Sequence, residues 1–126
     1  MAQVVCSGIT MYDIRTTIKA VTAEAIGYGQ SVYIGSDGLV RALDGVYAAV
    51  CHGWALTAKA LGGTLTIVTT CRMDVDTAQI PGAQAQVGAV AGGSAPSTTL
   101  GGIVVGFAIT TSKLFLNVPS PAADTP

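Results

Sequence analysis

The chain has 126 residues, of which half are apolar and only 10% are charged, and its formal net charge is −1. One domain of this length buries roughly two-thirds of the surface that its unfolded chain exposes, so a single small core is expected. The near-neutral charge and the absence of any apolar run of about 18 residues predict no nucleic-acid partner and no membrane partner. The six basic residues stand singly along the chain: Arg15, Lys19, Arg41, Lys59, Arg72 and Lys113.

The first strand is predicted over Ile9–Val21, where side chains alternate with the period of a β-strand. Its charged face should meet water or a polar partner surface. No counterpart of this segment is evident later in the chain, so residues 1–28 are predicted to form an extended N-terminal arm or an added edge strand. One face carries Ile14, Thr16, Ile18 and Ala20, and the other carries Asp13, Arg15, Thr17 and Lys19.

The next elements form the clearest hairpin of the sequence. A strand at 31–34 meets the turn Gly35-Ser36-Asp37-Gly38, and residues 39–43 return. Asp44-Gly45 marks a further turn. Residues 50–57 are predicted to be a buried strand with a bulge at Gly53, because a glycine inside a strand often marks a bulge or a close backbone approach.

The second half of the chain again consists of short strands and turns. Strands are predicted at 64–69 and 72–76, and the dipeptide Pro81-Gly82 then gives a turn. Further strands follow at 83–90, 94–98, 103–110 and 113–118, separated by Ala91-Gly92-Gly93 and Leu100-Gly101-Gly102. Many short strands without a long amphipathic helix predict an all-β fold, a small β-barrel at 29–118. The proline-rich tail 119–126 should be flexible or extended.

A duplication underlies this pattern. The segment 29–35 (Gly-Gln-Ser-Val-Tyr-Ile-Gly) is matched at 82–88 (Gly-Ala-Gln-Ala-Gln-Val-Gly), 53 residues later. The segment 52–57 (His-Gly-Trp-Ala-Leu-Thr) is matched at 105–110 (Val-Gly-Phe-Ala-Ile-Thr) with the same spacing. A constant spacing at both ends predicts a barrel built from two related halves, although chance similarity between Gly- and Ala-rich strands is the alternative.

Catalytic groups are scarce in the sequence. His52 adjoins Cys51, but neighbouring strand residues point to opposite faces, which disfavours a Cys-His dyad. Three cysteines (Cys6, Cys51, Cys71) without a CxxC pair indicate buried structural thiols rather than a metal site. Asp74 and Asp76 could share a strand face as a carboxylate pair or part of a Ca²⁺ site, or form a solvated face beside Arg72. We therefore predict no enzyme activity, no catalytic, cofactor-binding or metal-binding residues, and no cofactor.

The order of motifs resembles the small capsid decoration, or cement, proteins of tailed bacteriophages. The resemblance runs over residues 29–118 and is carried by Gly-Gln-x-Val-Tyr-Ile-Gly-Ser-Asp-Gly-Leu-Val at 29–40, His-Gly-Trp-Ala-Leu-Thr-Ala at 52–58, Gly-Gly-Thr-Leu-Thr-Ile-Val-Thr at 62–69 and Val-Gly-Phe-Ala-Ile-Thr-Thr at 105–111. It implies a small, tulip-like β-barrel (a β-tulip) that binds the outside of an assembled icosahedral shell, commonly as a trimer, although some members bind as dimers or monomers. The family has no catalytic residues. The N-terminal extension departs from its simplest members and leaves the mode of attachment open.

Three functions follow as hypotheses from these residues. The first is a non-enzymatic viral structural protein that binds the major capsid protein as a homotrimer and cements the virion shell. The N-terminal residues lack a signal peptide, so assembly in the host cytoplasm is expected. The second is a tail or receptor-facing β-barrel that recognises carbohydrate or another surface through an exposed Trp54 and Tyr33. The third is an enzyme that uses Cys51, His52 and a distant aspartate, which requires a low-pKa thiol.

Overall fold

The protein is all-β, as the sequence predicted, and the computed structural model describes residues 8–43, 50–88, 95–99 and 102–118. No helix occurs among these residues. The described part of the chain contains eight strands: β1 (Ile9–Val21), β2 (Ser31–Ile34), β3 (Val40–Ala42), β4 (Gly53–Ala55), β5 (Thr64–Val75), β6 (Gln84–Gly88), β7 (Gly102–Ala108) and β8 (Lys113–Asn117).

All eight strands belong to one sheet that curls into half of a barrel, and every paired strand is antiparallel to its neighbour. Seven strands follow the order β3-β2-β4-β5-β8-β7-β6. The long strand β5 organises the sheet, because β4 pairs with its first half and β8 with its second half. β1 runs along the opposite edge of β5 over nearly the full length of both strands.

The structure repeats its strand pairing at the spacing found in the sequence. Ser31 lies opposite Trp54 and Val32 opposite Gly53. The residues 53 positions later are paired in the same way, since Gln84 lies opposite Phe107 and Ala85 opposite Gly106. Two related halves are therefore visible in the backbone as well as in the sequence.

The turns that enter β2 and β6 match each other as well. The amide of Gly29 donates to the carbonyl oxygen of Ala55 at 2.8 Å, and the amide of Gly82 donates to that of Ala108 at 2.8 Å. Both glycines have positive φ, 78° and 80°, a conformation that other residues rarely adopt. Glycine at the start of both sequence motifs thus has the same physical cause.

Each half has its own apolar core at matching positions. The first cluster lies within the first half and comprises Ile26, Val32, Val40, Ala42, Ala55, Leu65 and Ile67. The second cluster includes Ala85 and Ala108, which correspond to Val32 and Ala55. It also takes in Trp54 and Val68 from the first half, so the two halves pack together through those side chains.

The structure corrects one expectation, because the segment Ile9–Val21 does have a counterpart, which is β5. Ile18 pairs with Ile67 and Ala20 with Leu65 in β1–β5. The same arrangement recurs in β5–β8, where Cys71 pairs with Leu116 and Met73 with Leu114. The spacing of 53 holds here too, because Ile18 corresponds to Cys71 and Ala20 to Met73. The partner positions in β5 recur in β8 after 49 residues instead, because the connection after β4 is longer than the connection after β7. β1 is thus a strand of the same sheet and pairs, among the described strands, with β5 alone.

Individual elements agree with the prediction to different degrees. The hairpin is confirmed: the amide of Gly38 donates to the Gly35 carbonyl at 2.9 Å, and β2 and β3 flank the turn. The segments 64–69 and 72–76 are one continuous strand, β5, with a pairing irregularity near Thr69 rather than a break. The predicted strands at 50–57 and 103–110 correspond to the shorter strands β4 and β7, and the described part of the strand predicted at 83–90 contains β6. Among the described residues 95–98 of the strand predicted at 94–98, only Ser97 pairs, in an isolated bridge to Gln86. The predictions for Asp44-Gly45, Ala91-Gly92-Gly93, Leu100-Gly101 and the tail 119–126 lie outside the described residues.

Candidate interaction surface

The Cys51 thiol and the His52 imidazole each form a hydrogen bond with the backbone. Cys51 is buried, and burial raises the pKa of its thiol to about 12, while its Sγ donates to the Gly53 carbonyl at 3.7 Å. The Nδ1 of His52 accepts a hydrogen bond from the Ile34 amide at 2.8 Å, and partial burial lowers the pKa of this imidazole. The low-pKa thiol that the enzyme hypothesis requires is therefore not found at Cys51.

The remaining cysteines add no reactive thiol that the structure describes. Cys71 is buried, and the pKa of its thiol is raised to about 11, mainly by burial. Its role as a small apolar core residue is as the sequence predicted. Cys6 lies outside the described residues.

The two carboxylates singled out by the sequence have separate surroundings. Asp74 accepts a hydrogen bond from the Lys113 ammonium at 3.0 Å. Asp76 follows the last residue of β5, and its carboxylate lies against the backbone of Gly8. Within residues 8–43, 50–88, 95–99 and 102–118, no group of three or more His, Cys, Asp or Glu side chains is arranged to hold a metal ion.

The aromatic residues of the carbohydrate hypothesis do not form an exposed platform. Trp54 is fully buried in the second core cluster, and Tyr33 is half-buried against that cluster. Tyr33 also lines a surface hollow of about 470 Å³ together with Gly35, Ser36, Asp37 and Arg41. Trp54 is thus unavailable as a stacking surface for a sugar.

A different aromatic row lies on the surface and was not predicted. Four residues lie opposite one another across neighbouring strands. Phe107 of β7 pairs with Phe115 of β8, and Phe115 pairs with Arg72 of β5. Arg72 also pairs with Tyr12 of β1. The rings of Phe107 and Phe115 have centroids 5.5 Å apart, close enough for a tilted aromatic contact. Phe107 is 47% exposed. No sequence pattern predicted this exposure, because Phe107 is the repeat counterpart of the buried Trp54.

The charged groups around this row are paired within the chain. Arg72 lies 3.5 Å from the Asp13 carboxylate, which also contacts Arg15 at 3.2 Å. The ammonium of Lys113, bonded to Asp74, lies 5.5 Å from the centre of the Tyr12 ring, within reach of a cation–π contact. Asp13 and Arg15 also line a hollow of about 170 Å³ with Thr70, Cys71, Arg72 and Phe115.

β1 presents a second exposed apolar set, at Ile14 and Ile18. The sequence predicted exposure for the charged face of this strand, and the structure exposes the apolar face as well. Ile14 lies in an irregularity at residues 13–15, where the pairing with β5 shifts and Asp13 has a positive φ of 51°, whereas Ile18 is paired in register with Ile67. Such a bulge bends a strand and re-aims its side chains.

Comparison with known proteins gives no match: no family model fits the chain, and no curated protein or solved structure is significantly similar to it. Among the residues that the structure describes, no helix is long and apolar enough to cross a membrane.

Proposed function

We propose that this chain is a non-enzymatic capsid decoration protein. It binds the outer surface of a bacteriophage shell as a homotrimer, contacts the major capsid protein and stabilises the virion after assembly in the host cytoplasm. The observation that supports this most is the surface row Tyr12–Arg72–Phe115–Phe107, in which Tyr12 and Phe115 are half-buried and Arg72 is paired with Asp13. Such a surface suits burial against protein, and the motif order over residues 29–118 supports the choice of partner.

The mechanical role follows from mass action. A protein that binds the assembled shell but not its dispersed subunits stabilises the assembled state in proportion to its affinity and concentration. Many identical contacts then add up, although each is weak. The low proportion of long charged side chains reduces the conformational entropy lost at each contact.

The inert thiols support a function without chemistry. Cys51 and Cys71 have raised pKa values because they are buried, and His52 is bonded to the Ile34 backbone. A receptor-facing module that binds carbohydrate stays as the alternative proposal, but its contact cannot include Trp54.

The first prediction tests shell binding directly. Purified protein is mixed with expanded capsids of the phage that encodes it, lacking their own decoration protein, and the mixture is sedimented. We expect saturable binding and a higher temperature of shell disruption than for bare capsids. Unexpanded precursor shells serve as the control surface. Failure to co-sediment with expanded capsids at any protein concentration would contradict the proposed function.

A further inference from the structure

The strand β1 carries a bulge where it passes the middle of β5. Three residues of β1 (13–15) stand opposite the single residue Cys71 of β5, because the pairing shifts there. Asp13 has a φ of 51°, the one positive φ at a non-glycine residue in the described part of the chain. A strained backbone of this kind is often found at a functional position, and a bulge changes the direction of the side chains that it carries. The surroundings of Asp13 were therefore searched for a binding site.

The bulge brings two arginines to one carboxylate. The Nε of Arg15 donates to Asp13 at 3.2 Å, and the Nε of Arg72 in β5 lies 3.5 Å from the other oxygen of the same carboxylate. Two positive charges thus share one negative charge. Every other ion pair of the described residues joins one cation to one anion. The group of Asp13, Arg15 and Arg72 therefore keeps one positive charge that no described side chain neutralises.

Both arginines retain hydrogen-bond donors for a ligand. The Nε and one Nη of Arg15 reach Asp13, at 3.2 and 3.5 Å. Within the described part of the chain, the Arg72 side chain makes only its ionic contact of 3.5 Å and no hydrogen bond. The two side chains are 68% and 48% exposed. Since a guanidinium carries several N–H donors in one plane, both groups can donate to a second acceptor.

The hollow beside these arginines has the size of one side chain. Its volume is about 170 Å³, and Phe115 forms an apolar wall of it. Sites for small-molecule ligands are larger, about 300–1,000 Å³. At about 30 Å³ for each water molecule, the hollow holds about five or six waters. It therefore fits a single small charged group, and the exposed Phe107 ring, 5.5 Å from that of Phe115, continues the apolar wall outward.

Charge and shape together select a carboxylate as the occupant. The planar fork of a guanidinium matches carboxylate and phosphate groups. Nucleic acid needs several cations along its row of phosphates, but Lys113 of the neighbouring strand β8 is already bonded to Asp74 at 3.0 Å. A single surplus positive charge in a hollow of this size suits the single carboxylate of an aspartate or glutamate side chain.

We propose that Arg15 and Arg72 bind the carboxylate of an acidic side chain on a protein partner. Asp13 limits the affinity of this site, because it neutralises one of the two guanidinium groups. An apolar neighbour of the acidic side chain packs on Phe115 and Phe107. The inference rests on the proposed function for the identity of the partner, the major capsid protein, and adds the chemistry of the contact.

The second prediction tests this site in the isolated chain, with glutamate capped at its amino and α-carboxyl groups as the probe. The Nε–H signals of the arginines are followed by NMR as the probe is added at constant ionic strength. We expect saturable shifts at Arg15 and Arg72 and none at Arg41, which Asp37 holds in a one-to-one pair. Capped glutamine, which lacks only the charge, is the control. No saturable shift at Arg15 and Arg72, or tighter binding of inorganic phosphate, would overturn the assignment.

Two variants should change the affinity for the capped glutamate in opposite directions. Arg72→Gln removes one guanidinium and should weaken binding roughly 10-fold or more. Asp13→Asn removes the competing negative charge and should tighten binding about 5-fold. Asparagine tolerates the positive φ at this position, so the bulge is kept. A general loss of folding would weaken binding in both variants, so weaker binding by Asp13→Asn would contradict the proposal.

Co-sedimentation with expanded capsids separates this inference from the proposed function. Arg72→Gln should bind capsids more weakly than the unmodified chain. Lys59→Gln is the matched control, because it removes the same charge in the exposed loop between β4 and β5, and it should change binding less than about twofold at physiological salt. If both variants bind capsids equally well, the carboxylate site fails and the proposed function stands. If the probe results hold but the unmodified chain does not bind capsids, the proposed function fails and the site stands.

Discussion

At the residue scale, the turn of the hairpin is fixed by one aspartate and one arginine. The guanidinium of Arg41 donates to both carboxylate oxygens of Asp37, at 2.8 and 3.0 Å. The Leu39 amide donates to the same carboxylate at 3.1 Å. A charged, two-pronged contact of this kind holds a planar carboxylate in one orientation. These bonds explain why a Gly-Ser-Asp-Gly turn ends in an ordered return strand.

The third prediction concerns the pH dependence of this turn. The hydrogen bonds from Arg41 hold the pKa of Asp37 well below its usual range. The contact therefore stabilises the hairpin at and above the usual aspartate pKa, and is lost as the pH falls through the lowered value. In an NMR titration, the Asp37 carboxyl signal should move only in strong acid. In Arg41→Gln it should titrate nearer the usual range, and an unchanged titration would show that the pair does not form in solution.

The fourth prediction concerns the thiols. Because burial raises the pKa of Cys51 and Cys71, alkylation at neutral pH should be slow in the native protein and fast in denaturant. Peptide mapping by mass spectrometry separates these sites from Cys6. Rapid modification of native Cys51 would instead revive the enzyme hypothesis.

At the scale of the strands, two glycines allow neighbouring backbones to approach closely. A Cβ atom on Gly106 would overlap the carbonyl oxygen of Phe115 in β8. A Cβ atom on Gly53, its counterpart in β4, would overlap the carbonyl oxygen of Val68 in β5. These two glycines are therefore conserved between the halves of the chain for the same steric reason.

The fifth prediction tests that reason. Gly106→Ala should lower the free energy of unfolding by about 1–3 kcal/mol or more, because β7 and β8 must separate to admit the methyl group. Gly62→Ala is the control: it has a positive φ of 83° but open space around it, so it reports only the conformational cost of about 1 kcal/mol. Equal losses for the two variants in denaturant titrations would argue against the close approach at Gly106.

Elements that depend on local chemistry could be predicted from the sequence. The β2–β3 hairpin was predictable because Asp37 and Gly38 are residues that favour a turn through their own local chemistry. The continuity of β5 was not, since the irregularity near Thr69 depends on its partner β1. The relation of β1 to β5 was also missed, although it keeps the spacing of 53, because residues 14–20 and 67–73 contain no glycine or aromatic residue to mark the match.

At the scale of the whole molecule, the duplication places similar residues in different environments. Trp54 and Phe107 occupy equivalent positions in the two halves, yet one is in the core and the other is on the surface. The strand periodicity predicts that both side chains point to the same side of the sheet. Their different burial arises from how one half packs on the other. The surface row could not be predicted from residue types, because four separate strands contribute to it.

This arrangement also explains how a small protein with few charges could serve a structural role. Trp54 of the first half is enclosed, while its counterpart Phe107 in the second half is exposed near the Lys113–Asp74 ion pair. When another protein covers such a face, apolar surface is removed from water, and this stabilises the complex. Assembly is thus the expected state of the chain.

The most direct test is the mass of the unmodified chain in solution, measured by sedimentation equilibrium over a wide range of dilution. We predict a trimer that dissociates to monomers only at low concentration. A chain that stays monomeric at every concentration would contradict it.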